Sequence, residues 1–195
     1  GQLRYPEKAK GLVLFSYDAD EAEQARSINF LIDYLNKFDY ATLQLNLFNP
    51  GDRLAIKKVG EERFNVKLLA NRLLHASYWC RGEENIDILP QFLVGESLGS
   101  AAALIAAASL NKEIQAVVSL FGRADLAFDD LNLIQAPTLL IAEKSNPEIV
   151  SCNERAIANL NCQKNLAILS DTKSCQEKMN LVSEMTKNWF DRSFD

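Results

Sequence analysis

The stretch that decides the fold is Phe92-Leu93-Val94-Gly95-Glu96-Ser97-Leu98-Gly99-Ser100, which runs on into an alanine-rich segment ending at residue 108. It begins as a short apolar strand, turns through a Gly-x-Ser-x-Gly motif and continues as a helix of small residues. A strand, a tight turn and a helix in this order are typical of a nucleophile elbow, which presents a serine at a sharp bend. The segment therefore predicts Ser97 as the nucleophile position.

The two glycines of the motif have a steric role in this prediction. The serine of an elbow has a strained backbone, and its neighbours must lack side chains so that the strand and the helix can approach each other. Gly95 and Gly99 meet that need, and the backbone N–H of Leu98 becomes a candidate oxyanion donor. The motif alone arises by chance in roughly one chain in fifteen of this length. The strand and the helix on either side therefore carry the prediction.

Apolar runs of strand type alternate with helical patterns along the chain. Such alternation specifies a parallel sheet covered by helices on both faces. The sequence predicts one α/β domain over residues 1–195, a three-layer α/β/α sandwich with a mostly parallel, doubly wound sheet of six to seven strands and no lid. The predicted strands are 11–17, 40–48, the run after Pro90, 114–121, 138–142 and 166–169, with 3–5 as a seventh. The predicted helices are 20–38, 64–80, the segment after Ser97, 147–160 and 176–190.

Composition and charge exclude several function classes. With 48% hydrophobic and 24% charged residues, the chain is an ordinary globular protein and not a disordered one. Its net charge of -5 argues against nucleic acid and anionic membranes as partners, because both require a basic patch. No apolar stretch reaches the roughly 18 to 20 residues that span a bilayer, and the first ten residues are polar. We expect a cytoplasmic protein with a small-molecule ligand, and the sequence gives no indication of an oligomeric state.

The cysteines and carboxylates do not form a recognisable metal site. Cys80, Cys152, Cys162 and Cys175 show neither a C-x-x-C pair nor zinc-ligand spacing, and we expect reduced, mostly buried thiols. The loop carboxylates show no defensible metal-binding spacing. The sequence therefore predicts no metal and no cofactor.

A base for the serine is not evident. A serine nucleophile needs a base within hydrogen-bond reach, normally an imidazole. The chain contains one histidine, His75, which falls on the flank of the apolar stripe of the predicted helix 64–80. We therefore interpret His75 as a structural or surface residue.

Beyond the elbow, the chain resembles the dienelactone-hydrolase-like branch of the α/β-hydrolase superfamily, whose small members have no lid. The resemblance extends over the segments 11–15, 68–79, 95–108, 117–126, 136–141 and the final helix ending in Asn188-Trp189-Phe190. It implies an α/β-hydrolase fold. Where the catalytic residues of the family are kept, it also implies hydrolysis of a carboxylic ester or lactone.

The resemblance also implies a degenerate triad. In that family an Asp follows the strand matching 138–142 and a His follows the strand matching 166–169, but the corresponding positions here hold Asn146 and Ser174. The family completes its oxyanion hole from a glycine-rich turn after the first strand. Here that turn places Tyr17 at the donor position and Asp18 beside it, where a carboxylate repels an oxyanion.

Two hypotheses about the function remain, and a protein that acts only as an interaction module is a third. The first is a catalytically impaired member, a pseudoenzyme that binds a small ligand or a partner. The second is an active serine ester or lactone hydrolase that uses Ser97 with an unconventional base such as Lys173. Cys175 lacks the base that a displaced nucleophile needs, and Asp125 lacks an imidazole to orient.

Overall fold

Seven strands form one sheet in the computed structural model, which describes residues 1–17, 22–47, 62–170 and 174–194. The strand order is β1-β3-β2-β4-β5-β6-β7. Strand β1 is antiparallel to β3, and every other neighbouring pair is parallel. The strands are β1 Gln2–Arg4, β2 Gly11–Tyr17, β3 Tyr40–Asn46, β4 Gln91–Glu96, β5 Ile114–Leu120, β6 Thr138–Glu143 and β7 Lys164–Leu169. The α-helices are α1 Ala22–Asn36, α2 Glu62–Cys80, α3 Leu98–Leu110, α4 Pro147–Asn159 and α5 Cys175–Asp191.

The helices cover both faces of the sheet and enclose two hydrophobic cores. One core contains residues of α2, α3 and α4, and the other contains residues of α1 and α5. Strand β2 lies between them, because Leu12 and Leu14 point into the first core and Val13 and Phe15 into the second. A strand buried on both faces is expected to be apolar throughout. This arrangement confirms the predicted three-layer sandwich.

Helix α3 packs at the centre of the first core. It contacts α2 along its length and lies against β4 and β5. Its residues from Gly99 to Ala108 are buried, and most of them are alanine. Side chains this small allow a helix backbone to come close to a sheet, which the elbow at its start requires.

Helix α5 closes the second core. Met179, Val182, Trp189 and Phe190 are buried there, while Met185 is partly buried. The indole Nε1–H of Trp189 donates to the Pro137 carbonyl at 3.2 Å. This bond ties the last helix to the segment that enters β6.

Element boundaries differ from the prediction at several ends. The first helix stops at Asn36 rather than residue 38, because the following turn places Asp39 at φ 63°, outside the helical region. Strand β7 begins at Lys164 rather than residue 166, since Lys164 and Asn165 pair with Thr138 and Leu139 of β6 although they are exposed. The short first strand lies one residue earlier than predicted.

The parallel strands bring several predicted positions to one edge of the sheet. Strands β4, β5, β6 and β7 all end at this carboxyl edge, so the segments that follow them lie near one another. Ligands of open α/β sheets bind at such an edge. Within the described ranges, no helix is long and apolar enough to cross a membrane.

Candidate functional site

Ser97 occupies the turn between β4 and α3 with a backbone conformation that non-glycine residues rarely adopt. Its φ is 56° and its ψ is -120°. Its N–H donates to the Leu120 carbonyl of β5 at 3.2 Å, and its side chain is partly exposed at the carboxyl edge. Residues in such regions persist only where the surroundings impose them. The backbone of Ser97 thus has the strained bend that defines a nucleophile elbow.

Three glycines make room for this bend. A Cβ on Gly95 would overlap with the backbone of Gly99, and a Cβ on Gly99 would overlap with the Ser16 carbonyl. A Cβ on Gly122, just after β5, would collide with Ser100 and with the Ser97 carbonyl. The first two roles are the ones predicted from the motif. The third is visible only in the folded chain.

Two buried polar side chains support the elbow, and sequence reasoning missed both. The Ser100 hydroxyl lies 2.9 Å from the Gly95 carbonyl and 3.1 Å from the Leu120 carbonyl, to which it can donate. Asn153 of α4 donates through Nδ2 to the Gly122 carbonyl at 2.9 Å and to the Ile149 carbonyl at 2.8 Å. A serine directly before a run of alanines was the available signal for Ser100. Nothing local marks Asn153.

The predicted oxyanion donors lie at the ends of two neighbouring elements, Leu98 at the start of α3 and Tyr17 at the end of β2. Leu98 is the first residue of α3, so its N–H has no acceptor within the helix. Tyr17 ends β2, whose Ser16 pairs with Gly95 of β4. The Tyr17 side chain is buried in the second core and accepts a hydrogen bond from Gln44, and burial raises the pKa of this phenol. Asp18 lies outside the described residues.

Asn146 and Ser174, the residues predicted at the acid and base positions, both serve as helix caps. The side-chain carbonyl of Asn146 accepts the Ile149 N–H at 3.2 Å at the start of α4. The Ser174 hydroxyl accepts the Glu177 N–H at 3.1 Å at the start of α5. Both side chains are exposed. Over the described part of the chain, neither these groups nor any other side chain forms a hydrogen bond with the Ser97 hydroxyl.

The alternative acids, bases and nucleophiles that the structure describes form no hydrogen bond with Ser97. His75 is exposed in the second half of α2, which leads toward the opposite edge of the sheet. Asp125 accepts two hydrogen bonds from Arg123, both at 2.8 Å, and this partner lowers the pKa of the Asp125 carboxyl. Cys175 is exposed at the first position of α5. Lys173 lies outside the described residues.

A lysine that the sequence did not single out lies near Ser174, the predicted base position. The Lys178 ammonium, one turn after Ser174, donates to Glu143 at 2.7 Å and lies 5.4 Å from the centre of the Phe121 ring. Glu143 ends β6 and Phe121 follows β5. The ion pair engages Lys178 with Glu143 beside a cavity of about 280 Å³ that Ser174 also lines.

The cysteines are all free, and no cluster in the described ranges could hold a metal ion. Cys80 and Cys152 are buried, as expected, whereas Cys162 is intermediate and Cys175 exposed. Groups of three or more His, Cys, Asp or Glu side chains with metal-binding geometry are absent from the residues that the structure describes.

Comparisons with known proteins identify the fold and the family. No protein-family model matches the chain. A protein named "Putative phosphoribosyl transferase" from two strains of Mycobacterium tuberculosis is 31% identical over 193 residues, which are 97% of this chain but 43% of that protein. The chain thus spans less than half the length of these curated relatives.

Solved structures give the fuller match. A dienelactone hydrolase from Anabaena variabilis superposes with a TM-score of 0.87 and 30% identity, covering 97% of this chain and 89% of that one. Est1E from Butyrivibrio proteoclasticus has a TM-score of 0.78 at 13% identity, covering 98% and 93% of the two chains, and shows the fold alone. The chain has a nucleophile elbow in a mostly parallel sheet, and it overlaps almost completely with the Anabaena protein. It therefore belongs to the dienelactone-hydrolase-like branch of the α/β-hydrolase superfamily.

Proposed function

We propose that this protein binds a small carbonyl-containing ligand at the Ser97 elbow and does not hydrolyse it. The observation that carries the proposal is the use of the acid and base positions, Asn146 and Ser174, as helix caps. Neither side chain can act as a general base at neutral pH. A pseudoenzyme within a hydrolase family accounts for both features, a nucleophile elbow that is kept and acid and base residues that are replaced.

The chemical argument concerns the proton of the Ser97 hydroxyl. Acyl transfer requires a base that takes this proton as the oxygen attacks and an acid that orients the base. Loss of these groups from serine hydrolases reduces turnover by roughly 10⁴- to 10⁶-fold. The neutral amide and hydroxyl at the two positions supply neither function. We therefore infer that any residual hydrolysis is too slow to be the role of the protein.

The binding half of the proposal rests on what the elbow retains. The N–H of Leu98 opens a helix of 13 residues, and the positive end of the helix dipole favours a partly negative oxygen. No acidic residue occupies the first turn of α3. A carbonyl oxygen is the ligand group that such a donor accommodates, with or without a subsequent reaction.

An active-site probe tests the proposal directly. The wild-type protein is treated with a fluorophosphonate probe, with the Ser97→Ala variant as the matched control, and labelling is measured by intact mass. We expect no labelling above that control, and p-nitrophenyl acetate turnover that is the same in both proteins. Stoichiometric labelling at Ser97 would falsify the claim that the nucleophile is inactive.

The preserved strain at Ser97 favours one second candidate, an ester or lactone hydrolase with an unconventional base. A backbone bend that costs free energy is easier to explain when its serine reacts. Lys173 is the base that the sequence offers, because a desolvated lysine can lose its proton near neutrality. If Ser97 is labelled and the labelling disappears in Lys173→Ala, this candidate replaces the first.

The name of the curated relatives raises phosphoribosyl transfer as a function. We assign that activity to the part of those proteins that this chain does not cover, because 97% of the chain is accounted for by a hydrolase fold. The net charge of -5 supports a small-molecule ligand over a nucleic acid or an anionic membrane. Cytoplasmic location remains part of the proposal.

A further inference from the structure

One of the larger cavities among the described residues lies away from the Ser97 elbow. It has a volume of about 500 Å³ and lies between α2, α4 and the segment that follows β5. Its lining includes Lys67, Asp125, Phe128, Asp129, Asp130 and Arg155, and Ser97 is not part of it. Small-molecule sites typically have volumes of about 300 to 1,000 Å³, so this cavity is of suitable size for a ligand.

One of its charges is already neutralised by the protein. Asp125 accepts two parallel hydrogen bonds from the Arg123 guanidinium, a geometry that holds both side chains in place. Asp125 is therefore a fixed part of the wall and has little capacity left for a ligand.

The other four charged groups come from two helices and one loop. Lys67 comes from α2 and Arg155 from α4, while Asp129 and Asp130 follow one another in the segment after β5. Among the residues that the structure describes, none of these four side chains forms an ion pair. The Arg155 guanidinium donates to the Cys152 sulfur at 3.5 Å. Two positive and two negative groups thus line one cavity without pairing with each other.

The cavity also offers an aromatic surface. Phe128 is 48% exposed, which is high for a phenylalanine on a globular protein. Its ring lines the same space as the two carboxylates, so an apolar group held there would cover it. A ligand that satisfies all of these groups must carry a positive charge, a negative charge and an apolar body.

We propose that this cavity binds a small zwitterion of the amino-acid type. The ammonium group of the ligand contacts Asp129 and Asp130, its carboxylate contacts Lys67 and Arg155, and its side chain covers Phe128. The site is independent of the reactivity of Ser97, so it stands whether or not the protein hydrolyses esters.

Titration with L-phenylalanine tests the proposal, followed through backbone amide NMR shifts of the full chain. Phenethylamine, which lacks the carboxylate, and hydrocinnamate, which lacks the amine, serve as matched comparison ligands. We expect L-phenylalanine to shift amides at Lys67, in the 125–130 segment and at Arg155. We also expect it to bind at least about tenfold more tightly than either comparison ligand, because each loses one pair of charge-assisted hydrogen bonds.

Variants separate this site from the elbow. Lys67→Gln and Asp130→Asn are each expected to weaken L-phenylalanine binding about tenfold, whereas Ser97→Ala and the distant Lys8→Gln leave it unchanged. Equal binding of the three ligands, no shifts at millimolar concentration, or loss of binding in Ser97→Ala would each overturn the proposal. None of these results bears on the labelling of Ser97, so the two proposals can fail separately.

Discussion

Ser97 keeps a backbone conformation that costs on the order of 1 to 3 kcal/mol, and neighbouring residues supply the stabilisation that maintains it. The Leu120 carbonyl lies within hydrogen-bond distance of both the Ser97 N–H and the Ser100 hydroxyl. Asn153 fixes Gly122, whose lack of a side chain allows it to lie against the Ser97 carbonyl. The bend is thus a property of a small buried network and not of the motif alone.

This network makes Asn153 important for stability. In Asn153→Ala the buried Gly122 carbonyl loses its side-chain donor, and we expect the free energy of unfolding to fall by about 2 to 3 kcal/mol. The matched control is Asn159→Ala on the same helix, whose amide donates to the Arg155 carbonyl at the surface. Urea denaturation of both variants should show the larger loss for Asn153→Ala. Equal losses would contradict a special role for the buried amide.

At the scale of elements, the local sequence explains most of the fold. Strand β2 was predicted with the observed bounds because an uninterrupted apolar run leaves one choice of strand. The capping roles of Asn146 and Ser174 also had local signals, since Asn146 precedes a proline and Ser174 lies three residues before Glu177. The contacts of Asn153 and Lys178 could not be predicted, because they join residues 31 and 35 positions apart in the chain.

The caps give a prediction that separates their structural role from a catalytic one. Asn146→Ala and Ser174→Ala each remove an acceptor for an N–H of the first helical turn, which should lower the free energy of unfolding by about 1 kcal/mol. Asn146→Asp should have little effect, because aspartate caps equally well and suits the helix dipole. Thermal denaturation gives the measurement. Unchanged stability in both alanine variants would remove the capping explanation.

The junction of β4 and α3 gives a second prediction at this scale. In Gly99→Ala the new methyl group would overlap with the Ser16 backbone, so strand and helix must separate, and we expect a loss of more than about 3 kcal/mol. The matched control is Gly82→Ala, where the new methyl group would lie 3.5 Å from the Trp79 carbonyl oxygen, an ordinary van der Waals contact. That variant should stay within about 0.5 kcal/mol of wild type. Similar stability of the two variants would mean that the elbow tolerates a wider spacing between helix α3 and the Ser16 backbone of β2.

At the scale of the whole molecule, one carboxylate near the end of α5 joins this helix to the residues at the start of β2 and β3. Asp191 accepts hydrogen bonds from Lys10, which precedes β2, from Tyr40 at the start of β3, and from Lys187 on its own helix. Burial by itself would raise the pKa of Asp191, but these three hydrogen bonds outweigh burial and lower the pKa to about 2. The cluster therefore holds α5 against the amino edge of the sheet.

This cluster predicts how stability depends on pH. A carboxyl whose pKa is lower in the folded state stabilises the protein above its unfolded pKa of about 4, and the stabilisation is lost as the pH falls toward 2. We expect Asp191→Asn to be less stable than wild type at pH 7, with a difference that narrows between about pH 4 and pH 2. Urea denaturation at a series of pH values measures it. A difference that stays constant over this interval would argue against the ionised cluster.

The bond between Trp189 and the Pro137 carbonyl has a practical consequence for such measurements. The chain has two tryptophans, and Trp79 is already 50% exposed in the native state whereas Trp189 is 8% exposed. A red shift of indole emission during denaturation therefore reports chiefly the release of the carboxyl-terminal helix. Comparing that optical signal with circular dichroism, which averages over every helix, would reveal whether this segment detaches before the remainder of the protein melts.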